Sequence, residues 1–161
     1  VIVRAEPLTA ESFRPFGDVL ETNGRIPQEI NQGNTQKFAD LADITIGEGG
    51  RVQFSIYRSD VIELPFRIDL MERHPLGSQL FYPLHQLPFP IIVAPADAYP
   101  DSSNIRAFLS NGNQGINLHP NIWHHYQLTL QQASDYIVVD RAGGGENYEE
   151  HRLQEDLFLQ L

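Results

Sequence analysis

The stretch Met71-Glu72-Arg73-His74-Pro75-Leu76-Gly77-Ser78-Gln79-Leu80-Phe81-Tyr82-Pro83 follows a row in which Leu64, Phe66, Ile68 and Leu70 are apolar while Glu63, Arg67 and Asp69 are polar. A period of two predicts a half-buried β-strand. The same parity carried forward puts Glu72 and His74 on the face that the apolar row declares to be inside. An inward carboxylate and imidazole are costly unless paired. Three arrangements meet that demand: a ligand or catalytic site, a salt-bridged or hydrogen-bonded strand end, or a bulge that reverses the parity before Glu72.

Composition narrows the function classes. A chain of 161 residues, 41% hydrophobic and 20% charged, has the make-up of one ordinary globular domain with a sizeable core. The formal net charge of −10 disfavours nucleic acid as a partner, because such a surface repels phosphate backbones. Its longest apolar runs, such as Pro90-Ile91-Ile92-Val93-Ala94, are too short to span a bilayer, and the first residues hold no basic-then-apolar leader. With no cysteine, disulfides and thiolate chemistry are excluded, and Lys37 is the one lysine. No GxSxG, GxGxxG or P-loop pattern occurs, so no organic cofactor is implied. The chemistry left lies with carboxylates, arginines and six histidines.

Along the chain, Leu8–Arg14 reads as a short helix with Thr9 as N-cap, stopped by Pro15. Phe16–Glu21 reads as a turn into a strand. Residues 23–36 are polar and turn-rich, a loop by composition and a candidate flap over a site. Phe38–Ala42 fits one helical turn. From Gly49-Gly50 a strand alternates Val52, Phe54 and Ile56 with Arg51, Gln53, Ser55 and Tyr57, and Arg58 falls on the apolar parity. Arg58 therefore points inward if the register holds, or reaches solvent if the strand ends first. Short strands are expected at Gln79–Leu84, Phe89–Ala94, Arg106–Leu109, Gly115–His119, His125–Leu130 and Asp135–Asp140, and residues 146–161 form a last helix or an edge-covering arm. Regular short strands with few helices predict an all-β sandwich or barrel.

The second dense stretch is Gln114-Gly115-Ile116-Asn117-Leu118-His119-Pro120-Asn121-Ile122-Trp123-His124-His125. On an extended strand Asn117 and His119 share one face and Ile116 and Leu118 the other. Adjacent His124 and His125 point opposite ways, so one of them is structural.

Together, an inward Glu72-x-His74, Gln79 five residues on and His119 from a later strand resemble the site of the cupin barrels. That family carries HxH, then Glu, then a lone His; here Glu72 replaces the first His and Gln79 the Glu. His74, His119, Glu72 and Gln79 could hold a divalent cation, less tightly than the full set. The runs Glu72–Pro83, Arg106-Ala107-Phe108, Asn111–His119, Trp123-His124-His125 and Asp140-Arg141, with Phe16-Gly17-Asp18-Val19, are similar to those of the ureidoglycolate lyases and cover nearly the whole chain in order. The resemblance implies a cupin-like β-barrel (a double-stranded β-helix) and a cytoplasmic homodimer in allantoin and purine-nitrogen catabolism. It further implies elimination of urea from (S)-ureidoglycolate to give glyoxylate, with nickel in some members.

Such an elimination needs a base for the hydroxyl proton, an acid for the departing urea nitrogen and a cation for the carboxylate. His119 and Glu72 are the expected acid–base pair, with His74 a third proton carrier or, with His119, a metal ligand. Arg58 or Arg73 could grip the carboxylate, strand parity favouring Arg58, while Gln79 and Asn117 could bond the ureido group. Competing readings are a ureidoglycolate amidohydrolase releasing ammonia, a non-catalytic small-acid-binding cupin module, and a storage-like structural barrel.

Overall fold

A computed structural model describes residues 1–161. In chain order the elements are β1 (Ile2–Pro7), α1 (Ala10–Phe13), β2 (Gly17–Leu20), β3 (Gln28–Ile30), β4 (Thr35–Lys37), β5 (Gly50–Ser59) and β6 (Phe66–Arg73). They continue with β7 (Gln79–Pro83), β8 (Pro90–Ala94), β9 (Arg106–Leu109), β10 (Gly115–Leu118), β11 (Trp123–His124), β12 (Ser134–Gly143) and β13 (Glu149–Gln160). The expected all-β, cupin-like barrel is what the chain forms. A closed barrel runs β1-β13-β6-β11-β8-β9, and a second sheet runs β2-β10-β7-β12-β5.

The apolar side chains divide between two layers. Ile68, Met71, Ile92, Ala94, Trp123, Leu157 and Leu159 fill the barrel. Ile91, Val93 and Phe108, on the other side of the same barrel strands, meet Phe81, Ile116, Leu118, Tyr136 and Val138 of the second sheet. The β6–β8 wall of the barrel is thus covered on both faces, which is why β8 reads as an unbroken apolar run.

The α1 helix has the expected Thr9 cap, completed by Ser12 in a reciprocal capping box. Several local expectations are corrected. Residues 28–37 form the β3–β4 hairpin instead of a bare loop. Phe38–Ala42 is not helical, and residues 125–128 are irregular because the strand there is the two-residue β11 just before them. The tail is neither a helix nor an arm but the twelve-residue β13, which pairs in parallel with β1 and antiparallel with β6 and so closes the barrel.

The alternation on β6 does not run unbroken to Glu72. Ile68 and Met71 are both fully buried in the barrel core, three residues apart, so the parity reverses between them. The cause lies in the facing strand: Ile68 pairs with Leu157 while Leu70 pairs with Arg152, and residues 153–156 bulge between. Met71→Ala is therefore expected to cost ~2–5 kcal/mol in urea unfolding, as a filled core position does. Leu70→Ala, at a half-buried position, should cost distinctly less, and the opposite order would contradict the reversal.

Candidate active site

After the reversal Glu72 lies on the face of the barrel wall that looks toward the second sheet. Its cross-strand partner is His124, which is also paired with Val93 of the inter-sheet core. Residues directly opposite share a face, so Glu72 and His124 project together. His74, two residues beyond Glu72, joins them: one ligand atom from each of the three lies within 4.8 Å of the others. The imidazoles of His74 and His124 are 5.2 Å apart, centre to centre.

Glu72 and His74 border a cavity of about 440 Å³, with His124 buried beside them, and its other walls include Tyr57, Gln79 and Phe81 from the second sheet, with Tyr126 and Tyr148 from loops. Gln79 Nε2 donates to Asp140 Oδ2 at 3.3 Å behind that wall. A larger depression of about 600 Å³, between Glu21, Tyr82, His85 and Asn113, lies beyond the far end of β7 and brings together no comparable cluster.

The hydrogen bonds set the state of each imidazole. His74 Nδ1 lies 2.8 Å from the Asn147 carbonyl and His124 Nδ1 lies 3.1 Å from the His125 carbonyl. A carbonyl only accepts, so both Nδ1 atoms carry hydrogen and, in the neutral rings, both Nε2 atoms offer lone pairs. Both Nε2 atoms are buried and without a partner, as are Gln79 Oε1 and Asp140 Oδ1. Burial, with His74 close by, pushes His124 down to about 3, so its ring is neutral. Burial pushes the Glu72 carboxyl up, opposed by His74 and a hydrogen bond from Tyr148. Asp140 is likewise raised by burial.

Imidazole nitrogens of His74 and His124 beside the Glu72 carboxylate are the donor types that borderline divalent cations take. The donor types therefore fit such an ion, which His74, His124 and Glu72 would hold.

Of the remaining expected site residues, His119, Asn117 and Arg73 lie elsewhere. His119 is not beside Glu72: on β10 Asn117 faces away from Ile116 and Leu118, and His119 follows it to the outer side of the second sheet. There His119 Nε2 and Asn117 Nδ2 both donate to Asp18 Oδ2, at 3.2 and 2.9 Å. Asn117 also bonds the Asp43 carbonyl at 2.9 Å. A β-carbon at Gly17 would overlap the Asn117 carbonyl, so this packing depends on glycine beside Asp18. Arg73 points away from the cavity, as its parity required. It bonds Glu149 and the Ala96 carbonyl and lies 4.3 Å over the Trp123 ring.

Arg58 borders the cavity only at its rim. Its side chain is 78% exposed and paired with Asp135. The residue shares the face of Val52, Phe54 and Ile56, but that face is the outer one. Tyr57 and Ser59, on the opposite parity, look into the cavity. Residues 23–36 do not line it.

The site residue that the sequence left undecided is His124. The signal was present: of two adjacent histidines only one can face Glu72. His125, the other, packs edge-on against Phe66 and is pushed down to about 4 by burial, which makes it the structural member.

The family profile described as ureidoglycolate lyase matches residues 1–160. The chain belongs to the ureidoglycolate lyase family. Relatives named ureidoglycolate lyase include one from Pseudomonas entomophila, 48% identical over 97% of this chain and 94% of its own. Another from Pseudomonas syringae pv. syringae is 48% identical over 97% of this chain and 92% of its own. A third, from Pseudomonas fluorescens, is 49% identical over 97% and 94%. The similarity thus spans both sheets and the whole Glu72–His74–His124 cluster.

The Asp18 group yields a test of its separate, structural role. Hydrogen bonds from Asp43 N–H, Asn117 and His119 hold the Asp18 carboxyl below its ordinary range, against the opposing effect of burial. A folded-state value below the unfolded one means the contribution is complete above about pH 4, the unfolded aspartate range, and is lost as pH falls through the folded value. Acid unfolding of the Asp18→Asn variant, followed by circular dichroism, should be less steep below about pH 4 than that of the parent. Parallel profiles would remove Asp18 from the acid-labile groups.

Proposed function

We propose that the protein is a ureidoglycolate lyase, eliminating urea from ureidoglycolate and leaving glyoxylate. The observation that carries this reading is the cluster of Glu72, His74 and His124, two of whose members, Glu72 and His74, open on one cavity, in a chain of that family. As the carbinol becomes a carbonyl, the O–H electron pair forms C=O, the C–N pair leaves with the urea nitrogen, and that nitrogen takes up a proton. Glu72 and His74 Nε2 are the groups we assign to moving the proton. His124, opposite Glu72 on the paired strand and fixed by the His125 carbonyl, is assigned to positioning the Glu72 carboxylate. Asn147 fixes the His74 ring through its carbonyl and braces the next turn, its Oδ1 accepting from Leu76 N–H at 2.8 Å. Arg58, at the rim, is the cation nearest to where a substrate carboxylate enters, and binding there exchanges Asp135 for substrate. A divalent cation held by His74, His124 and Glu72 would supply Lewis acidity toward the hydroxyl.

A product assay with racemic ureidoglycolate on metal-stripped protein, scoring glyoxylate, urea and ammonia, tests the reading. Glyoxylate with equal urea and no ammonia is expected, in stripped protein or on restoring a divalent ion. Ammonia in place of urea would make the protein an amidohydrolase, and no product under any metal would leave a binding module. In the same assay His124→Ala should lose ~10²-fold or more of the turnover and His119→Ala less than ~10-fold. The reverse pattern would return His119 to the chemistry.

We also read the protein as a homodimer, and, from the family resemblance, as cytoplasmic. No helix is long and apolar enough to cross a membrane. Support for pairing comes from β5, an edge strand whose outward row Val52, Phe54 and Ile56 is 58%, 66% and 60% exposed. An apolar row on an unpaired edge calls for a cover, and a self-complementary two-fold contact supplies one. Phe54→Arg should shift the sedimentation coefficient from dimer to monomer, and an unchanged coefficient would place the contact elsewhere.

A further inference from the structure

Gln79 is buried in the wall between the two sheets, and its amide has two ends of opposite character. Asp140, on the inward parity of β12 behind it, accepts from Gln79 Nε2 at 3.3 Å. An ionised carboxylate has nothing to donate, so it attracts the NH₂ end of the amide and repels the carbonyl end. With Nε2 turned back to Asp140, Gln79 Oε1 is left buried and unpartnered, with Gln79 itself on the cavity wall. That oxygen is an acceptor to which no group of the chain donates. A ligand that satisfies it brings N–H groups.

We propose that Asp140 is a positioning residue: by locking the Gln79 amide it makes this wall an acceptor for the ureido N–H groups, and so selects a ureido end over its methyl isostere. The inference rests on the lyase reading and goes beyond it by naming which end of the substrate meets the second sheet. The ureido end lies against Gln79, and the carboxylate end points to the rim at Arg58. No atom of Asp140 need touch substrate; its effect passes through the Gln79 amide.

Two stable analogues separate the ends. N-carbamoylglycine keeps the ureido group and carboxylate but lacks the hydroxyl. N-acetylglycine differs from it by a methyl in place of the terminal NH₂. Competition against ureidoglycolate, or calorimetry, gives the affinity of each. The unaltered protein should prefer N-carbamoylglycine by ~10-fold or more, because a buried acceptor left unmatched is costly. Asp140→Asn lets the amide turn over, and most of that preference should vanish while N-acetylglycine affinity stays within ~2-fold. The double variant Asp140→Asn, Gln79→Glu restores a fixed acceptor, since an amide at position 140 can only donate to a carboxylate at position 79, and should recover the preference.

Equal affinity of the unaltered protein for both analogues overturns the inference without any variant, even where ureidoglycolate is turned over normally. So does an Asp140→Asn protein that keeps its preference, or one that loses both ligands alike. Protein that neither turns over ureidoglycolate nor binds either analogue overturns this inference and the lyase reading together.

Discussion

Between Ile68 and Met71 the side chains of β6 exchange faces, and the bulge of β13 at residues 153–156 makes the exchange possible. Without it Glu72 would enter the barrel, among Trp123, Ile92 and Ala94. With it, Glu72 and His74 turn to the space between barrel and second sheet, and Arg73 takes the barrel side instead. Arg73 is satisfied there by Glu149, the Ala96 carbonyl and the Trp123 face. Thus a local irregularity at one strand pair sorts three consecutive polar residues to the two sides that can accommodate them. The β11 pairing then completes the cluster, since whatever stands opposite Glu72 must share its face.

The architecture was legible where the sequence carried a strong period: the β5, β6 and β12 strands, the Thr9-capped turn of helix, and the all-β class. It was illegible where the decision belonged to a partner strand. Nothing in residues 64–74 announces a bulge located some eighty residues later in β13. The inward parity of Glu72 and His74 held for their burial and failed for the route, because both faces of this wall are covered. The same ambiguity misled the reading of β5. Its apolar row looked like a core face, yet the polar row Tyr57 and Ser59 turns to the cavity and the apolar row turns outward. Period two tells that a strand has two unlike faces; it does not tell which of them the protein buries within itself.

His119 shows a second limit. It satisfies the expected cupin pattern by position, but one strand's parity separates it from the cavity: Ile116 and Leu118 own the inner face of β10, so Asn117 and His119 belong to the outer one. Asp18 absorbs both polar side chains there. That bonding gives them a structural reason to be polar, whereas the Nε2 atoms of His74 and His124 have none within the chain.

The contrast explains where the fold's stability and its chemistry part company. A buried acceptor without a partner costs about 1–3 kcal/mol, and the cavity region holds several: two imidazole nitrogens, the Gln79 carbonyl and Asp140 Oδ1. The Asp18 group is built the other way, with donors matched to a carboxylate. On the outer face the Asp18 carboxylate is met by the Asp43 N–H, Asn117 and His119, and of that group Asn117 Oδ1 is left bare. On the inner face each ring is instead fixed through Nδ1 by a backbone carbonyl, and the Gln79 amide is fixed through its NH₂. These fixing bonds consume donors and leave acceptors bare. The pattern comes from one rule applied at several residues, so what completes His74 Nε2 and Gln79 Oε1 on the cavity, a donor or a cation, has to arrive from outside the chain.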